Sequence, residues 1–258
     1  MAVKLETELY PPIKQYFASR GYEVKGEVRG CDLMAVHPDI ESPIIVEIKK
    51  TFTLPLLLQG LDRQRTGAAV WLAVERNRTK KGAHNQRFHE LSALCGRLAL
   101  GFMTVTFYKT KEPVIEVWRE PEEAMNAAGG RKRAGAKRLL REFDGRSGDY
   151  NVGGSLRRKL VTAYRERTIQ CALALACHGQ LSPSQVRDLT SIPGAAGILR
   201  GNPYGWFRNV KRGVYELTPQ GRDGLREFEE VTAVWAAKLE WAAGWEDACQ
   251  ASGGPSAY

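Results

Sequence analysis

The sequence predicts an α/β domain with a mixed sheet flanked by helices, followed by a smaller and mainly helical domain. In residues 1–120, helical and strand patterns interleave in the order helix, three strands, helix, strand, helix and two strands. Beyond residue 158 helical patterns predominate, and a basic, glycine-rich segment separates the two regions. A chain of 258 residues that is 43% hydrophobic is long enough to bury two such cores.

Hydrophobic periodicity locates the elements of the first domain. An apolar stripe with helical spacing runs from Leu9 to Phe17, and Gly21 ends this helix. The second helix is expected to bury one stripe of leucines, namely Leu54, Leu57, Leu58 and Leu61. A third helix is expected over residues 84–98. Strands are expected over residues 22–28, 31–36, 44–49, 69–74, 101–107 and 114–119.

The region 159–221 is predicted to be a winged-helix-like domain. Its helices are expected over residues 162–177, 182–189 and 195–210, with a basic turn and a strand at 212–218. A small helical bundle for dimerisation or internal packing is the alternative. Residues 222–250 predict a C-terminal helix whose apolar face suits internal packing or a homodimer. Residues 251–258 predict a disordered tail.

The net charge of +9 is concentrated in the middle of the chain. Residues 126–168 contain 12 basic and 4 acidic side chains, and the two flanking regions are close to neutral. A local basic excess indicates a nucleic-acid partner, because neutralising phosphates releases condensed counterions. A solvated basic linker over residues 121–158 is the alternative. Arg131, Lys132 and Arg133 form the densest basic run and are candidate nucleic-acid contacts.

Other classes of protein are disfavoured by the composition. The five cysteines form no C-x-x-C pair, so neither a zinc ribbon nor a disulfide framework is expected. The four histidines lack metal-ligand spacing. The N-terminus has no apolar signal segment, and no apolar run approaches the length of a membrane span. We therefore expect a cytoplasmic protein without a membrane partner.

Two of the expected strands carry charged residues: Asp32 lies on the strand at residues 31–36, and the E-x-K triplet Glu47-Ile48-Lys49 lies on the strand at residues 44–49. Glu47 and Lys49 share one face of the second of these strands, because strand side chains alternate with period two. If residues 37–43 reverse the chain, Asp32 on the first of these strands approaches Glu47. Two carboxylates and a lysine then form one cluster, which suits metal-assisted hydrolysis of a phosphodiester. A structural ion-pair cluster, or an inactive descendant of an enzyme, is the alternative.

Longer motifs around this cluster resemble one protein family. They are Glu8-x-Tyr10-x-Pro12-x-Lys14, Gly26-Glu27-Val28-x-Gly30-Cys31-Asp32-Leu33, Val46-Glu47-Ile48-Lys49 and Leu56-Leu57-Leu58-Gln59-Gly60, and the likeness continues to about residue 221. These motifs are similar to an uncharacterised bacterial family of PD-(D/E)xK-type phosphodiesterases. The resemblance implies a restriction-endonuclease-like fold. The proline that leads the superfamily motif is absent, since Cys31 precedes Asp32.

The resemblance also implies a metal site. Asp32, Glu47 and the backbone carbonyl of Ile48 are expected to bind Mg²⁺ or Mn²⁺. Lys49 is expected to orient the attacking water or to stabilise the developing charge, since a lysine is a poor base near neutral pH. The implied activity is hydrolysis of phosphodiester bonds, with double-stranded DNA as the expected substrate. A catalytically inactive DNA-binding regulator and an RNA-processing nuclease are the alternatives.

Further residues have weaker signals. Glu8 either reaches the metal or stabilises the N-terminus of the first helix. Gln59 and Arg63, one helical turn apart, either contact phosphate or are exposed without a role. In the second domain, the basic residues expected to face DNA are Arg200, Arg208, Lys211 and Arg212.

Overall fold

Six strands form one mixed sheet in chain order. The computed structural model describes residues 3–77, 87–122, 130–154 and 159–251, with only the backbone at residues 130–133, 248, 250 and 251. The strands are β1 Glu23–Val28, β2 Cys31–His37, β3 Ile40–Lys49, β4 Ala69–Glu75, β5 Gly101–Thr106 and β6 Val114–Arg119. The pairs β3/β4 and β4/β5 are parallel, and the other three pairs are antiparallel. The predicted mixed sheet is confirmed.

Helices cover both faces of this sheet. They are a 3-10 helix Glu6–Leu9 and the α-helices α1 Tyr10–Ala18, α2 Leu54–Gln64, α3 Phe88–Arg97 and α4 Gly130–Asp144. On one face, Ile13 and Phe17 of α1 pack with Val46 and Trp71 of the sheet. On the other face, buried residues of α2, α3 and α4 pack with the opposite side chains of the strands. Residues 84–86 of the expected third helix lie outside the described residues.

The buried face of α2 differs from the predicted one. Leu54 and Leu58 are 66% and 55% exposed, whereas Leu56 and Leu57 are buried. The cause is a close approach at Gly60, where an added Cβ would lie 2.8 Å from a methyl group of Leu72. The absence of a side chain at Gly60 allows this close approach, and the helix accordingly turns Leu56, Leu57 and Gly60 toward the sheet.

Part of the segment expected to be a basic linker is the helix α4. Leu139 and Phe143, four residues apart on α4, are buried with the residues of α2 and α3. Lys25 of β1 donates hydrogen bonds to the carbonyls of Phe143 and Arg146, at 2.9 and 3.0 Å. A narrow apolar stripe in this highly charged segment is sufficient for packing. The run at residues 131–133 lies in α4, but its side chains are outside the described part of the chain.

The chain divides into two compact units, Met1–Val161 and Thr162–Tyr258. The second contains α5 Ala163–His178, α6 Pro183–Thr190, α7 Ala195–Gly201, β7 Phe207–Lys211, β8 Val214–Leu217, α8 Pro219–Glu227, α9 Glu229–Lys238, a 3-10 turn Glu240–Ala242 and α10 Trp245–Ala251. Strands β7 and β8 form an antiparallel hairpin, and Leu181 adds an antiparallel bridge to Tyr215 of β8. Ser182 caps α6 in a capping box with Gln185.

The third helix of this unit is shorter than predicted. α7 ends at Gly201, because Asn202 adopts a left-handed conformation with φ of +39°. The amide of Asn202 then pairs with the backbone of Phe207, donating to its carbonyl at 2.7 Å and accepting from its N–H at 3.1 Å. Residues 207–210, predicted as helix, therefore lie in the hairpin.

The predicted C-terminal helix is interrupted. Phe228 has φ of −109° and ψ of 38°, which separates α8 from α9, and a turn at 240–242 precedes α10. Residues 252–258, predicted as a disordered tail, lie outside the described residues. No helix in the described ranges combines the length and apolar character that crossing a membrane requires.

The packing of α4 can be tested by truncating Phe143, which is 1% exposed. Phe143→Ala should lower the free energy of unfolding by about 3–5 kcal/mol, because it leaves a cavity in the core. Urea unfolding measures this loss. The exposed Arg138 on the same helix supplies the control, since Arg138→Ala should change stability by less than about 0.5 kcal/mol. Equal stability of both variants would mean that α4 is a solvated linker.

Candidate metal centre

The register of β2 and β3 places Asp32 beside Glu47. Leu33 pairs with Val46 and Met34 with Ile45, so the next step of this antiparallel ladder sets Asp32 opposite Glu47. The backbone N–H of Ile48 also donates a 2.8 Å hydrogen bond to Oδ2 of Asp32. Glu47 is 1% exposed and Asp32 is 9% exposed. The two predicted acids are therefore brought together at the sheet and largely shielded from water.

Arg63 of α2 is the partner of Glu47. Its Nε donates to Oε1 of Glu47 at 2.6 Å, and its guanidinium also donates to the carbonyl of Gly30. In the described residues, Oε2 of Glu47 and Oδ1 of Asp32 accept no hydrogen bond. Each acid thus has one oxygen held by a fixed donor and one oxygen left for another ligand.

Lys49 is paired with an acid that the sequence reasoning did not select. Its Nζ lies 3.1 Å from Oε2 of Glu6. Glu8 instead accepts hydrogen bonds from the backbone N–H groups of Lys4 and Leu5, at 2.8 and 2.7 Å. This is the N-terminal arrangement in which a glutamate at the third position of a helix turns back to satisfy free N–H groups. Glu8 lies three residues after the N-cap Leu5, the spacing of a helix-capping glutamate, and this spacing could have distinguished it from Glu6, which pairs with Lys49.

The strand that carries Asp32 is supported by a loop at residues 145–154. Asp149 accepts hydrogen bonds from the Tyr10 hydroxyl at 2.8 Å, from Lys14 Nζ at 2.5 Å and from the Gly26 N–H at 2.7 Å. Gly153 approaches so closely that an added Cβ would lie 2.2 Å from the carbonyl oxygen of Asp32. The Tyr10 and Lys14 positions of the first motif therefore anchor this loop.

Burial and mutual repulsion perturb both acids. Burial raises the pKa of Asp32, although the Ile48 amide and Lys49 act to lower it. Burial and the charge of Asp32 raise the pKa of Glu47 to about 7, against the effect of Arg63. Burial acts to lower the pKa of Lys49, but Asp32, Glu6 and Glu47 outweigh this effect and raise it. Lys49 is accordingly a cation at neutral pH, as expected for an orienting group.

The donor set fits a hard divalent ion. Two neighbouring carboxylates and a strand carbonyl are oxygen ligands of the kind that Mg²⁺ binds through few protein groups and several waters. No cluster of three or more His, Cys, Asp or Glu side chains suited to a metal occurs within the described ranges. The remaining ligands of such an ion would therefore be water, backbone and substrate oxygens.

The other predicted contacts lie on several different elements of the two units. Gln59 is exposed on α2. Arg208 and Lys211 lie on β7 and not on a helix, and Arg208 Nε pairs with Glu216 at 2.9 Å. Arg200, at the end of α7, and Arg212, in the turn of the hairpin, are exposed.

A protein family described as "Putative PD-(D/E)XK phosphodiesterase (DUF2161)" matches residues 103–224. The matched region begins in β5 and ends in α8, and it confirms the predicted resemblance to this family. Asp32, Glu47 and Lys49 precede its first residue. Searches of curated proteins and of solved structures gave no match.

The raised pKa of Glu47 has a measurable effect on stability. The carboxyl group of Glu47 binds its proton more tightly in the folded state than in the unfolded state, where the pKa of a glutamate is about 4.3. The stabilising contribution is therefore present below that pH and is lost as the pH rises through about 7. The side chain of Glu47→Gln stays neutral at every pH. As the pH rises from about 4 to about 7, the free energy of unfolding of this variant should therefore increase by roughly 3 kcal/mol relative to the wild type.

Urea unfolding in chelator, from about pH 4 to pH 8, measures this gain. The exposed Glu112 supplies the control, since Glu112→Gln removes the same charge from the surface. A constant stability difference between wild type and Glu47→Gln over the whole range would contradict the raised pKa.

Proposed function

We propose that this protein is a Mg²⁺-dependent DNA endonuclease. The coarser assignment, a hydrolase of the phosphodiesterase class, follows from the family match over residues 103–224. The observation that carries the finer proposal is the pair Asp32 and Glu47, adjacent across β2 and β3, with Lys49 on the same strand as Glu47.

Asp32, Glu47 and the Ile48 carbonyl would hold the ion. When bound, Mg²⁺ supplies positive charge at the scissile phosphate and acidifies a coordinated water. The backbone N–H of Ile48 and the guanidinium of Arg63 each fix one oxygen of the two acids, so the free oxygens keep a defined direction. Such preorganisation is needed because a small displacement of a reacting group reduces the rate strongly.

Lys49 supplies the second cation of the site. Its ammonium is positioned by Glu6 and remains charged at neutral pH. It therefore holds the attacking water by hydrogen bonding, or stabilises negative charge that develops on the phosphate oxygens. Neither role requires Lys49 to lose a proton.

The preference for duplex DNA comes from the second unit. Helix α5, the bridge at Leu181, helices α6 and α7, and the hairpin β7/β8 follow one another in the order of a winged helix. Arg200 and Arg212 place exposed cations at the end of α7 and at the tip of the hairpin. These positions suit phosphate contacts that orient a duplex.

A non-catalytic DNA-binding regulator is the second candidate. It is favoured by the pairing of Arg63 with Glu47 and of Lys49 with Glu6, which gives the cluster internal partners without a metal. Such a protein would use the same fold to bind DNA and would leave it intact.

Plasmid nicking distinguishes the enzyme from the regulator. With Mg²⁺, the wild type should nick supercoiled DNA. Asp32→Asn, which keeps an acceptor for Ile48 N–H, and Lys49→Met should each reduce the rate by about 100-fold or more. The control is Lys109→Ala, an exposed lysine in the turn between β5 and β6, which should retain the wild-type rate.

The alternatives have different outcomes in the same assay. Salt-sensitive DNA binding by a wild type that never nicks DNA would identify the regulator. Cleavage of structured RNA in preference to DNA would identify an RNA-processing nuclease.

The winged-helix assignment predicts DNA contacts at the exposed cations of the second unit. Arg200→Ala and Arg212→Ala should each weaken duplex binding and reduce the slope of log K against log salt by about 0.9. Fluorescence anisotropy with a labelled duplex measures both quantities. The control Lys238→Ala removes an exposed lysine of α9 and should bind as the wild type does. Unchanged affinity in both arginine variants would refute the winged-helix contact.

A further inference from the structure

The turn between β1 and β2 holds an arginine in a strained conformation. Val28 pairs with Cys31, so Arg29 and Gly30 form a two-residue hairpin turn. Both residues have positive φ, +51° for Arg29 and +77° for Gly30. This is the turn type in which Asn, Asp or Gly normally occupies the first position, because a longer side chain is disfavoured in the left-handed region. Arg29 therefore occupies its position at a cost in stability.

Glu27, a second strained residue of the same hairpin, is held by hydrogen bonds, whereas the Arg29 side chain has none within the described part of the chain. Glu27 has φ of +54°, and its carbonyl accepts a 2.8 Å hydrogen bond from Arg146, while its carboxylate accepts a 3.0 Å bond from the Gly154 N–H. Arg29 is exposed, and its side chain makes no hydrogen bond or ion pair with any residue that the structure describes. Strained residues without a structural role concentrate at binding and catalytic sites.

The turn is connected directly to the acid cluster. The carbonyl of Gly30 accepts a hydrogen bond from the guanidinium of Arg63, whose Nε lies 2.6 Å from Glu47. Arg29 is thus one residue away from a contact that reaches a metal ligand of the proposed site. An exposed cation that has no partner among the described residues would, at this margin, attract a polyanion toward two buried carboxylates that otherwise repel it.

We propose that Arg29 binds a backbone phosphate of the DNA, beside the phosphodiester that reaches Asp32 and Glu47. This proposal rests on the proposed endonuclease function. The guanidinium presents several donors in a planar fork and suits a phosphate group better than any other side chain. Asn or Gly at this position would stabilise the hairpin but would remove the phosphate contact.

The proposal is tested by substitutions that separate stability from binding. Arg29→Asn should raise the urea midpoint, because asparagine is favoured in this turn. The same variant should bind a labelled DNA duplex about tenfold more weakly, with a salt slope smaller by about 0.9. Arg29→Lys retains the charge and should keep the wild-type slope. Binding is measured by anisotropy with the full chain in chelator, so that no strand is cut.

Arg97→Asn is the matched control. Arg97 is an exposed arginine at the end of α3, which packs on β5 and β6 at the opposite edge of the sheet from β1. It should keep the affinity and slope of the wild type. Equal binding by wild type and Arg29→Asn would overturn the role of Arg29 alone. A wild type that neither binds nor cleaves DNA would overturn the endonuclease proposal, and the proposal for Arg29 with it.

Discussion

The antiparallel register of β2 and β3 is the constraint on which the candidate site depends. A slip of one residue would turn every side chain of a strand to the opposite face and separate Asp32 from Glu47. The register is fixed because both faces of these strands are buried: Met34 and Ile45 pack on one side, and Leu33 and its neighbours pack on the other. The outer strand β1 is covered by the loop at residues 145–154, whose side chains bond to its backbone. The fold thus positions the two acids through the apolar packing around them, and the hydrogen bonds to Ile48 and Arg63 then orient their side chains.

Much of the first unit could be predicted from periodicity alone, because strands and helices with one or two buried faces have distinct spacing. The errors arose where tertiary contacts decide. The face of α2 depends on the close approach at Gly60, and the end of α7 depends on a left-handed Asn202 that bonds to Phe207. α4 was expected to be part of a linker because its large apolar residues, Leu139, Leu140 and Phe143, stand in a highly basic segment. None of these three features could be predicted from the neighbouring sequence, because each depends on a contact with a distant part of the fold or on a backbone conformation that the sequence pattern does not specify.

The sequence was sufficient to predict that Asp32, Glu47 and Lys49 lie together, but it was not sufficient to predict which side chains pair with them. The alternation of β3 fixes Glu47 and Lys49 on one face, and a short connection to β2 is enough to bring Asp32 near them. The partners come from elements that are distant in sequence. Arg63 reaches Glu47 across 16 positions, and Glu6 reaches Lys49 across 43. Sequence spacing within a helix offered no means to predict such pairs.

The cations beside the acids do not make this cluster a self-sufficient ion-pair network. In such a network the opposite charges would lower the pKa values of the carboxyl groups. The pKa values of Asp32 and Glu47 are raised instead, because burial and their mutual repulsion outweigh the effects of Lys49 and Arg63. The positive charges of Lys49 and Arg63 therefore do not fully compensate the two acids. Each acid also has one oxygen that accepts no hydrogen bond from any described residue. A divalent cation would supply the missing charge at those oxygens, which is why we favour a metal-dependent enzyme over a regulator that binds DNA through the same fold.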